Sequence, residues 1–422
     1  MHGVLAPQEQ EQLMSDSGKT TLSPKFMSSF NCVGSACEDT CCAGWNVDID
    51  QDTYRKYQGV KDPELATQFK QSLVKRKDVK DSRHSASIKM SPTGSCPFLD
   101  SEKLCSIQKK LGPSFLSATC DVYPRIRSSL NDHYRFSATL SCPEAARLCV
   151  GSPDGMEIQE LNADADVHKH MLQLFPNPGE GSLSIEDFTR RMVNNVLNDL
   201  VKDISLPIET TILVYGFMAQ KFLGSEALKN QLAPPSLKTM VAYADDLKKA
   251  LSGTDFNQAN AVLLKLRILT KITVVRTYSG GNRFGELVKT ASGAIFNNAA
   301  DFAQATENYQ RFLMDKFRPI DAQNPFAMRN YVLNYIFTNR SFVAGDPFKA
   351  FQELAFRFGV MKLLLIGLAG SKDEPLSMAN YVTVISAVSR AFDHNAGINA
   401  DICAMLDQIE PNSIPATALL IQ

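Results

Sequence analysis

The chain has 422 residues, of which 44% are hydrophobic, so it can bury a sizeable core and form roughly two or three domains. Its 44 basic and 45 acidic residues nearly cancel, which argues against binding to nucleic acid or another polyanion. Residues 1–30 lack the apolar stretch of a secretory signal, and no apolar run reaches the length of a membrane span. We therefore expect a cytoplasmic globular protein.

The pattern of residue types divides the chain into four parts. Residues 1–24 are predicted to be a loose leader, because they are polar and show neither helical nor strand periodicity. Residues 25–150 are predicted to form a Cys-rich α+β unit with short helices and strands. Residues 151–182 are a connector rich in Pro, Gly and Asp, and residues 183–422 are predicted to form an all-α domain. The fold class is therefore mainly α.

A dense group of thiols opens the Cys-rich unit, with four of the ten cysteines falling within eleven residues: Cys32, Cys37, Cys41 and Cys42. If the segment from Glu38 is helical, Cys37 and Cys41 lie one turn apart on one face. In the cytoplasm, clustered cysteines are more often metal ligands or redox groups than structural disulfides. The spacing therefore predicts a metal site.

Further candidate ligands follow downstream: Cys96, Cys105, Cys120 and Cys142. Cys96 and Cys105 flank a polar turn at residues 100–103, which predicts a β-hairpin with Phe98 opposite Cys105. Cys96 is then diagonal to Cys105 at roughly 7 Å. That separation is long for a disulfide and for two thiolates on one zinc ion, whereas a cluster of several irons could span it.

Two cysteines near the end of the unit have different predicted roles. Cys142 precedes Pro143 at the start of a predicted helix, and the helix N-terminus is expected to lower its pKa and favour the thiolate that a metal needs. Cys149 lies further along the same helix and is predicted to pack in the core.

The second half of the chain reads as successive helices. The apolar run Val360–Ala369 is predicted to be a buried helix, with docking on a bilayer surface as the alternative, so peripheral membrane association remains open. The segment Gly280–Gly285 lacks the preceding strand of a phosphate-binding loop and is predicted to be an interhelical turn. The predicted helices are 185–203, 207–223, 236–251, 257–277, 295–317, 324–339, 346–369, 376–393 and 396–409.

Several motifs make the Cys-rich unit recognisable: Phe30–Trp45, Cys96–Asp100, Leu111–Pro113, Ser117–Arg125 and Cys142–Arg147. Together they resemble the flagellin lysine-N-methylase family (FliB-like). They are also similar to a wider group of zinc- or iron-chelating domains with a Cys-Cys pair followed by Cys-Pro-x-Leu. The resemblance implies an S-adenosylmethionine-dependent enzyme that methylates lysine side chains of flagellin and needs a 4Fe-4S cluster held by the cysteine motif.

On this resemblance we expect a protein-lysine N-methyltransferase with flagellin as its partner. Neither the catalytic residues nor the S-adenosylmethionine site can be assigned from the sequence, and Arg125 is read either as offsetting the charge of the cluster or as capping a surface turn. The alternative is a non-catalytic zinc-binding interaction module, in which eight cysteines make two four-thiolate sites. The predicted metal ligands are Cys32, Cys37, Cys41, Cys42, Cys96, Cys105, Cys120 and Cys142.

Overall fold

Helices dominate the structure, and two small sheets lie in its first part, so the mainly α fold class is confirmed. Among the described residues, no helix is long and apolar enough to cross a membrane. This computed structural model describes residues 20–43, 47–76, 84–92, 94–130, 133–161, 185–224, 236–251, 262, 265–266, 283–297, 299, 301–339, 342, 347–393 and 414–421.

The strands are β1 Thr20–Pro24, β2 Asp48–Ile49, β3 Leu73–Lys75, β4 Ala86–Ile88, β5 Arg125–Leu130, β6 His133–Ala138 and β7 Ile158–Leu161. One sheet has the order β5-β6-β1-β7, in which β1 is parallel to β6 and antiparallel to β7. The other has the order β2-β4-β3. Residues 20–24 were expected to have no regular structure, and this expectation is wrong because pairing with two distant strands, rather than a local pattern, makes them a strand.

Short helices with clear start signals complete the Cys-rich unit: α1 Gln51–Gln58, α2 Pro63–Ser72, α3 Ser106–Leu111, α4 Ala118–Val122 and α5 Pro143–Val150. The Asp50 carboxylate accepts a hydrogen bond from the Thr53 N–H at 2.8 Å and so caps α1. Asp62 caps α2 in the same way, through the Leu65 N–H at 2.9 Å, with Pro63 at the first helical position. Local chemistry therefore fixes where both helices begin.

The helices of the second half are α6 Ile185–Lys202, α7 Ile208–Leu223, α8 Leu237–Leu251, α9 Arg283–Ile295, α10 Phe302–Arg311, α11 Phe326–Thr338, α12 Pro347–Gly370, α13 Met378–Asp393 and α14 Ile414–Ile421. After α10 the chain continues through a π-helical segment, Phe312–Phe317, and a last α-turn, Arg318–Asp321. The predicted helix 396–409 and all but three residues of the predicted helix 257–277 lie outside the described residues.

The predicted helix 295–317 starts too early, because α9 ends at Ile295 and α10 begins only at Phe302. It also stops too early, because the helical segment that follows α10 continues to Asp321. The Asp301 carboxylate accepts a hydrogen bond from the Gln304 N–H at 3.0 Å and starts the new helix. The segment Gly280–Gly285 is not simply a turn, since α9 already begins at Arg283. Its first residues lie outside the described part of the chain.

Helix α12 forms the centre of the second half and is buried along most of its length. Val360–Ala369 is buried throughout, which confirms core packing for this run. The helix α9 crosses α12 closely, because a Cβ atom at Gly367 would lie 2.4 Å from the Cβ of Ala291. A residue without a side chain is therefore required at this crossing.

Two separate hydrophobic cores hold the described structure together. The large core joins the helices of the second half to Phe26, Met27, Phe30 and the buried side of α5. The small core contains Val47, Ile49, Tyr57, Leu65, Phe69, Ala86, Ile88, Cys96, Phe98 and Ile107. Cys42, Cys105 and Cys120 pack against the small core. Three of the four downstream candidate ligands, Cys96, Cys105 and Cys120, therefore lie in this core or beside it.

Candidate metal centre

The first group of thiols lies on a loop rather than on a helix. A short 3₁₀ turn, Gly34–Ala36, is followed by Cys37 in extended conformation, and residues 38–42 form turns. The Cys37 thiol donates a hydrogen bond to the Asp39 carbonyl at 2.8 Å. The expected spacing of one helical turn between Cys37 and Cys41 is therefore wrong. Local side-chain bonds and distant contacts shape this segment instead of helical periodicity.

Backbone pairing brings this loop to the downstream cysteines. The Cys96 N–H donates to the Cys42 carbonyl at 2.7 Å, and Ala43 and Ser95 form an isolated antiparallel bridge. A thiol from each half of the motif is thereby held at one place, although more than fifty residues separate Cys42 from Cys96. The backbones of two candidate ligands, one from each half of the unit, are therefore adjacent, and their binding of a metal stays a prediction.

The turn between Cys96 and Cys105 differs from the predicted hairpin by one residue. Leu99, not Phe98, lies opposite Cys105, and only an isolated bridge forms. The Asp100 carboxylate accepts the Glu102 and Leu104 N–H groups at 2.9 Å each, and Lys103 adopts a positive φ of 61°. This side-chain capping tightens the turn and shifts the register. Cys105 then precedes α3 as its cap residue instead of lying in a strand.

Five thiols lie close enough together for the charge of one to affect the others: Cys41, Cys42, Cys96, Cys105 and Cys120. The pKa of Cys120 is raised to about 12, mainly by burial and to a smaller extent by the neighbouring Cys96, Cys105 and Cys41. Burial, with contributions from Cys105 and Cys41, raises the pKa of Cys96 to about 11. In contrast, the hydrogen bond from the Cys42 thiol, assisted by the charge of Arg390, lowers the pKa of Cys41 to about 7. Cys41 is therefore the thiol of this group that ionises most readily.

The remaining candidates are Cys32, Cys37 and Cys142, and Cys142 lies within electrostatic range of Cys37 and Cys41. The pKa of Cys142 is raised to about 12 by burial and, to a smaller extent, by Cys37 and Cys41. Cys142 is the cap residue of α5 as predicted, but the expected lowering of its pKa is wrong because burial outweighs the hydrogen bonds from the Ala145 and Glu144 N–H groups. Cys32 is exposed and contributes to the raised pKa of Cys37.

Cys149 belongs to the large core and not to this group. Its side chain is fully buried, and its thiol lies 3.7 Å from the Asn330 carbonyl. Burial alone raises its pKa. The prediction of core packing for Cys149 is confirmed. Cys403 lies outside the described residues.

The donor set fits a thiolate-bound metal in its chemistry, because several cysteine sulfurs within electrostatic range of one another are the ligands that zinc and iron–sulfur clusters take. Binding would also relieve the raised pKa values, since a metal ion stabilises the thiolate. Within the described ranges, however, no three Cys, His, Asp or Glu side chains form a ready-made site for a single metal ion.

Arginines from distant parts of the chain hold residues 37–43 in place, and this segment is called the thiol loop below. Arg390 of α13 donates to the carbonyls of Thr40 and Ala43, the latter at 2.5 Å, and pairs with Asp39 at 2.9 Å. Arg147 pairs with Glu38 at 2.6 Å. The second half of the chain is therefore in direct contact with the loop that carries Cys41 and Cys42.

These arginines were not identified from the sequence, because nothing local distinguishes Arg390 from any other cation in the last turn of an amphipathic helix. Arg283, at the start of α9, also donates to the Glu38 carbonyl at 3.3 Å. Arg125 was the arginine singled out from the sequence. Its guanidinium lies over the ring of Phe30, 5.5 Å from the centroid.

The comparison with known proteins identifies the second half of the chain. Residues 194–420 match the family model described as the FliB lysine N-methylase C-terminal domain. The chain is 38% identical over 142 residues to the flagellar biosynthetic protein FliU of Salmonella muenchen, a match that covers 33% of this chain and 83% of that protein.

Over the same length, the chain is 38% identical to a lysine-N-methylase of Salmonella typhimurium and to one of Salmonella choleraesuis, and each match covers 33% of this chain. It spans only 35% of either lysine-N-methylase. No solved structure matches the chain. Because the family model covers more than half of its residues, the chain belongs to the FliB lysine N-methylase family, a family of lysine N-methyltransferases.

Proposed function

We propose that this protein transfers methyl groups from S-adenosylmethionine to the ε-amino groups of lysine residues in flagellin, in the cytoplasm. The observation that carries the proposal is the match of residues 194–420 to the FliB lysine N-methylase C-terminal domain. The names of the similar proteins support it, since two are lysine-N-methylases and one is a flagellar biosynthetic protein.

The reaction requires a neutral amine, whereas free lysine has a pKa near 10.4, so only about one side chain in a thousand carries a lone pair at neutral pH. The enzyme must therefore lower the pKa of the substrate lysine. The second half of the chain already does so for one of its own lysines: burial, with the nearby charge of Lys362, lowers the pKa of Lys265 well below its ordinary value. A substrate lysine that enters a similarly dry environment would become nucleophilic.

The clustered cysteine thiols are proposed to hold a 4Fe-4S cluster, with zinc as the alternative. A cluster needs four thiolates, and the five grouped thiols Cys41, Cys42, Cys96, Cys105 and Cys120 supply enough. When bound, it would supply a redox-active centre or a cross-link between loops. Arg390 would position the Cys41–Cys42 segment and offset part of the negative charge of the thiolates.

The methylation itself can be tested with purified components. Metal-loaded protein, S-adenosylmethionine and flagellin are incubated together, and intact-mass measurement is expected to show steps of one methyl group on flagellin, with peptide mapping to lysine. Flagellin whose lysines are blocked by acetylation serves as the control and should gain no mass. The absence of any methylation by folded, metal-loaded protein would overturn the proposal and favour the zinc-binding interaction module.

The metal can be tested independently of activity. Protein purified without oxygen is expected to be brown and to contain iron and sulfide, whereas a colourless, zinc-containing protein would support the alternative. Cys41→Ala and Cys96→Ala should each reduce the iron per chain severalfold. Cys149→Ala is the matched control, because this thiol lies in the large core. Unchanged iron in the Cys41→Ala and Cys96→Ala proteins would refute the assignment of these ligands.

A further inference from the structure

A polar cleft opens in the second half of the chain, and no residue of the thiol loop lines it. It has a volume of about 960 Å³ and lies between the end of α9, the segment α10–Phe317 and the end of α12. This volume is in the upper part of the range for pockets that enclose small molecules. Its lining includes the side-chain amides of Asn297 and Asn308. It also includes charged side chains of both signs, Arg311, Lys316 and Asp315.

Two opposite charges in this cleft, Arg311 and Asp315, do not neutralise each other. They are four residues apart, a spacing that forms ion pairs on a regular α-helix. In the described structure, Arg311 instead donates to Asn308 Oδ1 at 3.2 Å and lies over the ring of Phe312. The Asp315 carboxylate has neither an ion pair nor a hydrogen bond with any described residue. The cleft therefore offers a cationic and an anionic group together.

The local backbone explains why the two charges stay apart. Residues Phe312–Phe317 are π-helical, so the turn is wider and residues four apart no longer lie directly above one another. Pro319 gives a sequence cause, because it has no N–H to donate to the Asp315 carbonyl. Such π-helical segments occur frequently at functional sites.

The glycines around the cleft have different roles. A Cβ at Gly370 would lie 2.2 Å from the ring of Phe312, so this glycine lets the end of α12 pack against the π-helical segment. Gly293 is exposed on α9, and a Cβ there would meet nothing within 4 Å. A large side chain at Gly293 would therefore extend into the space of the cleft without displacing the core.

We propose that this cleft binds S-adenosylmethionine, with Arg311 holding its carboxylate and Asp315 its α-ammonium group. The amino-acid part of S-adenosylmethionine carries a carboxylate and an ammonium group close together. Charge-assisted hydrogen bonds to these two groups are stronger than hydrogen bonds between neutral groups. The amide side chain of Asn297 offers a donor and an acceptor for the polar edge of the adenine. The inference rests on the proposed function, because it names where the methyl donor of that reaction is held.

Direct binding tests the assignment without any turnover. Isothermal titration of the full-length, metal-loaded protein with S-adenosylmethionine and with S-adenosylhomocysteine is expected to give saturable binding. Gly293→Trp should abolish binding and Gly293→Ala should leave it within twofold. Arg311→Gln and Asp315→Asn should each weaken binding at least tenfold. Arg318→Gln removes an exposed arginine that does not line the cleft, so it serves as the matched control.

The outcomes separate this inference from the proposed function. Native-like affinity in Gly293→Trp, Arg311→Gln and Asp315→Asn would overturn the cleft as the donor site, while the proposed reaction would stand. Failure of the unsubstituted protein to bind S-adenosylmethionine would overturn both. Thermal melting of each variant shows whether the fold is intact, and the charge variants, which alter exposed side chains, keep the test valid if Gly293→Trp unfolds.

Discussion

Arg390 connects the second half of the chain to the most acidic thiol of the candidate metal centre. Its guanidinium holds the loop through two carbonyls and Asp39. Its charge also contributes to the lowered pKa of Cys41, after the hydrogen bond from Cys42. A single side chain from α13 therefore holds the loop in position and contributes to the ionisation of Cys41.

Replacing this arginine should slow the reaction of Cys41 in metal-free protein. In Arg390→Gln, the pKa of Cys41 is expected to rise because a neighbouring positive charge is lost, and fewer thiolates will be present at pH 7. Iodoacetamide labelling followed by peptide mass mapping should show a severalfold slower modification of Cys41. Arg283→Gln is the control, since Arg283 touches only the Glu38 carbonyl of this loop. An equal slowing in both variants would contradict the role of Arg390.

Asp321 predicts a dependence of stability on pH. Burial and the charge of Glu209 raise its pKa from 3.8 to about 6, while Tyr381 donates a hydrogen bond to it at 3.1 Å. The folded state therefore binds a proton more tightly than the unfolded state, and this contribution to stability is present below pH 4 and is lost as the pH rises through 6. Above that pH, ionisation of Asp321 costs up to about 3 kcal/mol.

The variant Asp321→Asn keeps an acceptor for Tyr381 and cannot ionise. It should therefore be more stable than the unsubstituted protein at pH 7 and indistinguishable from it near pH 4, as measured by chemical unfolding. Asp315→Asn serves as the control, because it makes the same substitution at an exposed position. A constant difference for Asp321→Asn across this range would show that burial does not perturb this carboxyl.

At the scale of elements, the crossing of α9 and α12 depends on small residues. The same substitution, glycine to alanine, can be made at the crossing and on the exposed face of α9. Gly367→Ala would bring a methyl group against Ala291, and the forced separation of the helices should cost about 1–3 kcal/mol. Gly293→Ala meets open space and should be neutral or stabilising by up to about 1 kcal/mol, because alanine favours the helix.

Urea unfolding of the two alanine variants measures this difference directly. The comparison removes the intrinsic helix preference, since both positions lie within helices and both substitutions add the same methyl group. Equal stability of the two proteins would mean that α9 and α12 can move apart without loss of packing. That result would contradict the close crossing.

At the scale of the whole molecule, the division into two hydrophobic cores predicts two levels of stability. The small core has ten buried hydrophobic residues, and thiols lie along its edge. The large core extends from Phe26 to Ile421 and includes the buried apolar side chains of the central helix α12. A core this small is expected to be marginal without a cross-link.

Removal of the proposed metal should therefore loosen the small core first. After chelation, amide hydrogen exchange is expected to accelerate in α1 and α2, which supply Tyr57, Leu65 and Phe69, while α12 stays protected. The same measurement on metal-loaded protein gives the reference. Equal loss of protection in α2 and α12 would show that the two cores unfold as one unit.

The sequence by itself determined the features that depend on local chemistry. The start of α5 at Pro143 and the apolar run within α12 were readable, because proline at the first helical position and a continuous apolar pattern specify them locally. The cysteine motif likewise indicated the family, and the match of residues 194–420 confirms it.

Only the tertiary structure decided what depends on distant partners. Strand β1 exists because β6 and β7 pair with it, the thiol loop is held by Arg390, and burial reverses the expected shift in the pKa of Cys142. The backbone hydrogen bond from the Cys96 N–H to the Cys42 carbonyl has the same origin. Desolvation and long-range contacts arise only when segments far apart in the chain pack together, so no local pattern encodes them.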